Sequence, residues 1–177
     1  MLPRIISVLC FAGIFVTSYP ESGETYKHCS HGWTLIGDFC YYFENTALRF
    51  EVAELMCIEK QSTIFVPTSV KEWDEVMARS KLNVLTWIGL KQIDELREPL
   101  WKHPGGISVD KLNWVNPIPL YPEHNGWSVS TECAAHFNSV AVRHVFFYHC
   151  DSMLFSICKK KPTMLPKKQA MIDESDL

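Results

Sequence analysis

Charge of one sign is scarce in this chain of 177 residues: 17 Lys and Arg stand against 20 Asp and Glu, a formal net charge of −3. So small an imbalance gives no reason to expect nucleic acid or an anionic membrane as the main partner. Long apolar runs are missing as well. After Val16 no stretch approaches the ~20 apolar residues that a helix needs to cross a bilayer, so no membrane span is expected. The short signatures of catalysis are absent: there is no Gly-x-Ser-x-Gly, no His-Glu-x-x-His and no phosphate-cradling P-loop. No enzyme is therefore expected. There is no Asn-x-Ser/Thr sequon and no internal repeat. With 47% hydrophobic and 21% charged residues, the composition excludes a disordered or collagen-like chain. The length suits one domain.

What is present in excess is Cys, with 7, beside 6 Trp and 10 Pro. Many Cys in a short chain make the compartment the first question. The N-terminus addresses it. Arg4 precedes the apolar run Ile5 to Val16, and small or β-branched residues follow at Val16-Thr17-Ser18. Residues 1–18 read as a secretory signal peptide and 19–25 as a linker. A short buried helix is the competing reading of the run. Cleavage after Ser18 removes Cys10 and leaves Cys29, Cys40, Cys57, Cys133, Cys150 and Cys158, an even set that an oxidising compartment turns into three disulfides. The expected location is extracellular, as a secreted protein.

Local patterns give the elements. Trp33–Ile36 and Phe39–Phe43 are short strands around the turn signal Gly37-Asp38. Leu48, Val52, Leu55 and Met56 recur at helical spacing, which predicts an amphipathic helix from about Thr46 to Lys60 with those residues inward. Ser69-Val70-Lys71-Glu72 is a capping box that opens a second helix, with Trp73, Val76 and Met77 on one face. Val84 to Leu90 reads as a buried strand. Residues 91–132 then hold five of the ten Pro together with Trp101, Trp114, Tyr121 and Trp127, a long irregular loop whose aromatics argue for packing. Strand patterns return at Cys133–Phe137, Val140–His149 and Phe155–Lys160.

After Cys158 the character changes. Residues 159–177 contain five Lys against three acidic residues, whereas 19–158 carry eleven basic and seventeen acidic side chains, a net −6. Residues 161–177 read as a disordered charged tail. The alternative is that the basic cluster docks on a polyanion.

The run Trp87-Ile88-Gly89-Leu90, the order hairpin Cys pair, helix Cys, long loop, Cys-x16-Cys-x7-Cys, and the closing Ser156-Ile157-Cys158 together resemble the C-type lectin-like domain family in its six-cysteine form. The resemblance covers residues 26–160. It implies an α+β fold, with two helices flanking antiparallel sheets and a long irregular loop. It also implies the pairs Cys29–Cys40, Cys57–Cys158 and Cys133–Cys150. In calcium-dependent members, sugar hydroxyls complete the coordination of a loop-bound calcium held by carboxylates and amides. At the matching positions this chain has Ile118-Pro119-Leu120, Thr131 and Val145-Phe146-Phe147. Calcium needs several oxygen ligands, and Ile, Leu and Phe offer none. A shift of register brings in only Asn116 or Glu132. No cofactor is expected, calcium included.

Function must therefore be read from the site rather than the fold. His124-Asn125-Gly126-Trp127 contains an Asn-Gly turn signal that would present His124 and Trp127. Trp127, His124, Asn125 and Tyr121 are the candidate ligand-binding residues, since aromatic faces stack on sugar CH groups and amides bond hydroxyls. The bland alternative is that Trp127 and Tyr121 only pack the loop. His28, His31, His136, His144 and His149 would have to converge to hold zinc once the Cys are paired, and no metal site is expected. Pro119-Leu120-Tyr121-Pro122 has a PxxP form, but a secreted loop meets no cytosolic SH3 domain. The expected function is a secreted recognition module that binds an extracellular glycoconjugate or protein through its long-loop face without calcium. The alternatives are a carbohydrate-binding lectin with a displaced metal site, or a purely protein-binding domain.

Overall fold

A computed structural model describes residues 24–94, 96–116 and 122–167. The signal-peptide reading and most of the linker lie outside the described residues.

The chain opens with β1 (Thr25–His28) and the hairpin β2 (Thr34–Ile36) and β3 (Phe39–Phe43). Gly37, in the turn, has φ +58°, a conformation that glycine adopts without steric cost. Next come α1 (Phe50–Glu59), the two-residue β4 (Thr63–Ile64) and α2 (Val70–Met77). They are followed by β5 (Val84–Lys91), β6 (Leu100–Trp101), β7 (Cys133–Asn138), β8 (Arg143–Tyr148), β9 (Phe155–Lys160) and β10 (Thr163–Pro166). Short 3-10 turns occupy Val109–Lys111 and Pro122–Asn125. The main sheet has the order β2-β3-β9-β5-β7-β8, with β4 added to β9 and β6 to β5. All of its pairings are antiparallel except β5 with β9, which run parallel through Thr86↔Phe155 and Trp87↔Ser156.

The hairpin, α2 and the central strand stand where the sequence patterns place them. Ser69 Oγ accepts the Glu72 N–H at 3.1 Å, as a cap should. The Glu72 carboxylate departs from the standard box by reaching back to Thr68, accepting its N–H and its hydroxyl at 2.6 Å each. Trp73, Val76 and Met77 are the buried face of α2.

The α1 helix differs from the expectation. It begins at Phe50, and it buries Phe50, Ala53 and Cys57. Val52 and Leu55 are 41% and 57% exposed, and Met56 is half-buried. Leu48 precedes the helix and exchanges two backbone hydrogen bonds with Leu154, at 2.7 and 3.1 Å. The helix is apolar on nearly every side, so periodicity alone selects no unique face. The Cys57–Cys158 disulfide, with Cα atoms 5.3 Å apart, sets the rotation. Cys29–Cys40 and Cys133–Cys150 are also formed, so all three implied pairs are present.

Strand structure also extends past the expected domain end. Thr163–Pro166 pairs with Thr25–His28 inside the segment expected to be a disordered tail. Lys167 closes this ribbon, donating its N–H to the Glu24 carbonyl at 2.9 Å and pairing its ammonium with the Glu24 carboxylate. The apolar pair Met164-Leu165 gives enough β character for pairing once Cys29–Cys40 holds the first strand nearby. The expected strand at 140–149 is shorter, because Ser139 turns the chain by bonding both the N–H and the carbonyl of Val142. Residues 168–177 lie outside the described residues.

The core forms on both faces of β5. On one face Trp87 meets Phe50 edge-to-face at 5.5 Å and donates its indole N–H to the Leu48 carbonyl at 2.8 Å. On the other, Ile88 and Leu90 join Trp73, Phe65 and Tyr41. At Gly89 the chain passes close to its neighbour. Its N–H bonds the Phe65 carbonyl at 2.8 Å, and a Cβ there would fall 2.9 Å from Val66 Cγ2 and 3.0 Å from Ile64 Cγ2. Beneath α2, the Tyr41 hydroxyl donates to Glu72, which also holds the Lys159 ammonium at 2.5 Å. Burial alone pushes the Glu72 carboxyl up, but bonds from Lys159, Thr68 and Tyr41 outweigh it and hold the group below its usual range.

His136 is 1% exposed, sits edge-to-face on Trp73 at 5.3 Å, and has no hydrogen-bond partner at Nδ1 among the described residues. Burial, with smaller contributions from Arg143 and His144, pushes its pKa down to about 4. The fold therefore keeps this imidazole neutral where the unfolded chain would bind a proton. Stability is intact above 6.5 and is lost as pH falls toward about 4. Urea denaturation should show a loss of about 2 kcal/mol between about pH 7 and about pH 5. His136→Phe, which keeps a ring on Trp73, should flatten that slope; a slope unchanged in the variant would assign it to another group.

Candidate functional site: the long-loop face

The long loop leaves β5 at Gln92, and its own tryptophans fasten it. The Trp101 indole N–H donates to the Ile107 carbonyl at 2.7 Å, Trp114 to Val109 at 2.7 Å, and Trp127 to Gln92 at 2.9 Å. Each ring is half-buried against the core, and Trp114 lies 5.2 Å from Phe147. A half-buried indole must place its single N–H, and the loop supplies a carbonyl each time. Gln92 is itself buried, and its side-chain amide donates to the Asp94 and Arg97 carbonyls at 3.1 and 3.0 Å.

The outer part of the loop is held by two asparagines. Asn125 is 2% exposed. Its Oδ1 accepts the Asn116 N–H and its Nδ2 donates to the Asn116 carbonyl, both at 2.8 Å. Asn116 Nδ2 in turn donates to the His124 carbonyl at 2.6 Å. This bracket ties Asn116 to His124 and Asn125. At Gly126, with φ +81°, a Cβ would stand 3.0 Å from the Phe147 carbonyl oxygen.

The four candidate ligand residues thus part company. His124 is exposed at the outer edge of the bracket, beside exposed Val115, Asn116 and Glu123. Asn125 and Trp127 face inward, and the loop's own architecture uses their polar atoms. Tyr121 lies outside the described residues. An Asn-Gly turn signal carries no information on which way its asparagine points, and Asn125 turns inward because Asn116 offers both a donor and an acceptor. Gln92 had no signal in the sequence, and Asn116 had one only as a spare oxygen.

The positions that match the family's calcium ligands are occupied otherwise. Val145 and Phe147 are buried in the core, and Val145 exchanges backbone hydrogen bonds with Asn113 and Val115. The Thr131 hydroxyl bonds the Gly126 carbonyl at 2.6 Å and Ser128 Oγ at 2.7 Å. Glu132 lies 3.7 Å from the Lys91 ammonium, which also pairs with Glu51 at 3.3 Å. Ile118-Pro119-Leu120 is outside the described residues. Among the described residues, three metal-ligand atoms converge only at Glu51, Cys133 and Cys150, and there the two sulfurs are joined as a disulfide.

This sheet order, disulfide framework and stapled loop define a C-type lectin-like fold. The family model described as Lectin C-type domain matches residues 46–160. C-type lectin domain-containing protein 87 of Caenorhabditis briggsae is 37% identical over 154 residues, covering 82% of this chain and 66% of that protein. Among solved structures, a calcium-independent type II antifreeze protein superposes with a TM-score of 0.63 at 25% identity, over 78% of this chain and 98% of its own. The mouse scavenger receptor C-type lectin carbohydrate-recognition domain gives 0.62 at 27% identity, over 76% and 99%. The chain belongs to the C-type lectin domain family.

Asn125→Ala should remove both bracket bonds and leave the Asn116 backbone groups unpaired, at a cost of about 1–3 kcal/mol. The melting temperature should fall, and amide exchange at Asn116 and Gly126 should accelerate. Wild-type melting and exchange in this variant would show that the bracket does not hold the loop.

Proposed function

We propose that this chain is a secreted recognition module that binds an extracellular glycan or protein through the outer surface of its long loop, without calcium and without catalysis. The observation that carries this reading is the loop's self-sufficiency. Three indole–carbonyl bonds and the Asn116–Asn125 bracket fasten its described parts. A loop ordered by its own hydrogen bonds has no need of an ion to pre-organise it.

The donor set does not fit calcium. A calcium ion takes about 6–8 oxygen ligands. The matching positions within the described residues offer three hydrophobes and a threonine hydroxyl already bonded within the loop, and Glu132, which a shift of register brings in, faces a lysine. The antifreeze neighbour is itself calcium-independent, which supports this reading. Exposed His124, Asn116, Glu123 and Val115 give the outer edge of the loop both polar and apolar atoms for a ligand.

A glycan array run in EDTA and again in millimolar calcium tests the proposal. The same ligands should bind in both, and the melting temperature should not move with calcium, since an ion stabilises a fold only by binding it. Binding that appears with calcium alone, or a rise of several degrees on adding it, would overturn calcium independence. His124→Ala should weaken a ligand bound at this surface by about tenfold.

A further inference from the structure

Five of the seventeen Lys and Arg fall within residues 159–168, a stretch with no Asp or Glu. Through Lys167 this cluster is structured: β9 runs to Lys160, and β10 follows against β1. Lys159, Lys160 and Lys161 line a cleft of about 400 Å³ with His103, Phe39 and Val66, and no carboxylate lines it.

The three lysines are not equivalent. Lys159 is spent: its ammonium binds Glu72 at 2.5 Å and the Val66 carbonyl at 3.0 Å, over the Phe39 ring. Lys160 stands 4.0 Å from the Trp33 ring centroid, and Lys161 is exposed. Among the described residues neither has a carboxylate within 4.0 Å, whereas ten other Lys and Arg side chains do. His103 also lines the cleft, and its Nε2 is buried without a hydrogen-bond partner among the described residues. Two lysines with no carboxylate partner among the described residues and a histidine thus line one cleft, on a domain whose residues 19–158 carry a net −6.

We propose that this cleft binds a sulfated saccharide. The sulfate would sit between Lys160, Lys161 and His103, and the sugar ring would lie on the apolar wall of Phe39 and Val66. Lysines act as point charges suited to a sulfate. A phosphopeptide site would favour the bidentate fork of arginine, and no arginine lines the cleft. A flat anionic membrane would meet the acidic remainder of the domain, whereas a single chain can reach into a recess. None of Asn116, His124, Asn125 or Trp127 lines this cleft, so although His103 belongs to the long loop, the site is separate from the loop's outer edge and does not depend on its role.

Isothermal titration of the full mature chain with a heparin hexasaccharide, and with its chemically desulfated counterpart, tests the proposal. The sulfated form should bind, the desulfated form should not, and the affinity should fall as NaCl rises from about 0.15 M to about 0.5 M. Lys160→Gln/Lys161→Gln should weaken binding about tenfold or more. Should the double variant melt early through loss of the Trp33 contact, Lys161→Gln alone, at an exposed position, carries the test with a loss of about threefold or more. Binding of non-sulfated ligands in the glycan array should be unchanged in these variants. Equal binding of sulfated and desulfated chains, unchanged affinity in Lys161→Gln, or binding to phosphatidylserine vesicles without binding to the hexasaccharide would overturn the proposal.

Discussion

The Cys57–Cys158 bond is the constraint on which the rest of the structure depends. It joins residues 101 apart and ties α1 to the strand at the middle of the sheet. In the chain-entropy model a closed loop of that length contributes roughly 4–5 kcal/mol. Its geometric effect is more specific. Once Cys57 points at β9, Ala53 and Phe50 must point the same way, and Phe50 then meets Trp87 on β5. The parallel contact of β5 with β9 and the close approach of Ile64 and Val66 to Gly89 complete a centre with no space for a further methyl group.

From that centre the long loop is carried as an extension of β5. Trp127 returns from the far end of the loop to the Gln92 carbonyl, immediately after the strand. Trp101 and Trp114 close smaller circuits of five or six residues, and the asparagine bracket closes one of nine. Nested circuits of this kind let an irregular segment keep one shape, because each buried backbone group finds a partner without a strand or helix to supply it. The same fastening decides which side chains are left for a ligand. The polar atoms that hold the loop are engaged within it, while Val115, Glu123 and His124 are exposed.

The lysine cluster shows how the fold changes the meaning of a charge run. In sequence it is indistinguishable from a solvated tail. In the structure its first three members leave the end of β9 beside a turn from another part of the chain. One is neutralised by Glu72, and the other two are brought toward a histidine some sixty residues away in sequence.

Much of this protein was legible without coordinates. The hairpin, the capped second helix, the buried Trp-Ile-Gly-Leu strand and the six-cysteine order each depend on spacings of a few residues, and those spacings are written in the chain. The pairing of the cysteines became readable only through resemblance to a family. Tertiary structure alone decided the rotation of α1, the inward turn of Asn125 and Trp127, the pairing of β10 with β1, and the placing of His103, Lys160 and Lys161 around one cleft. The physical reason is the same in each case. A helix apolar on most sides, an asparagine in a turn or a lysine after a strand has several acceptable local environments, and the choice falls to a partner that only the folded chain brings within reach: Cys158 for α1, Asn116 for Asn125, Gln92 for Trp127, and Thr25–His28 for β10.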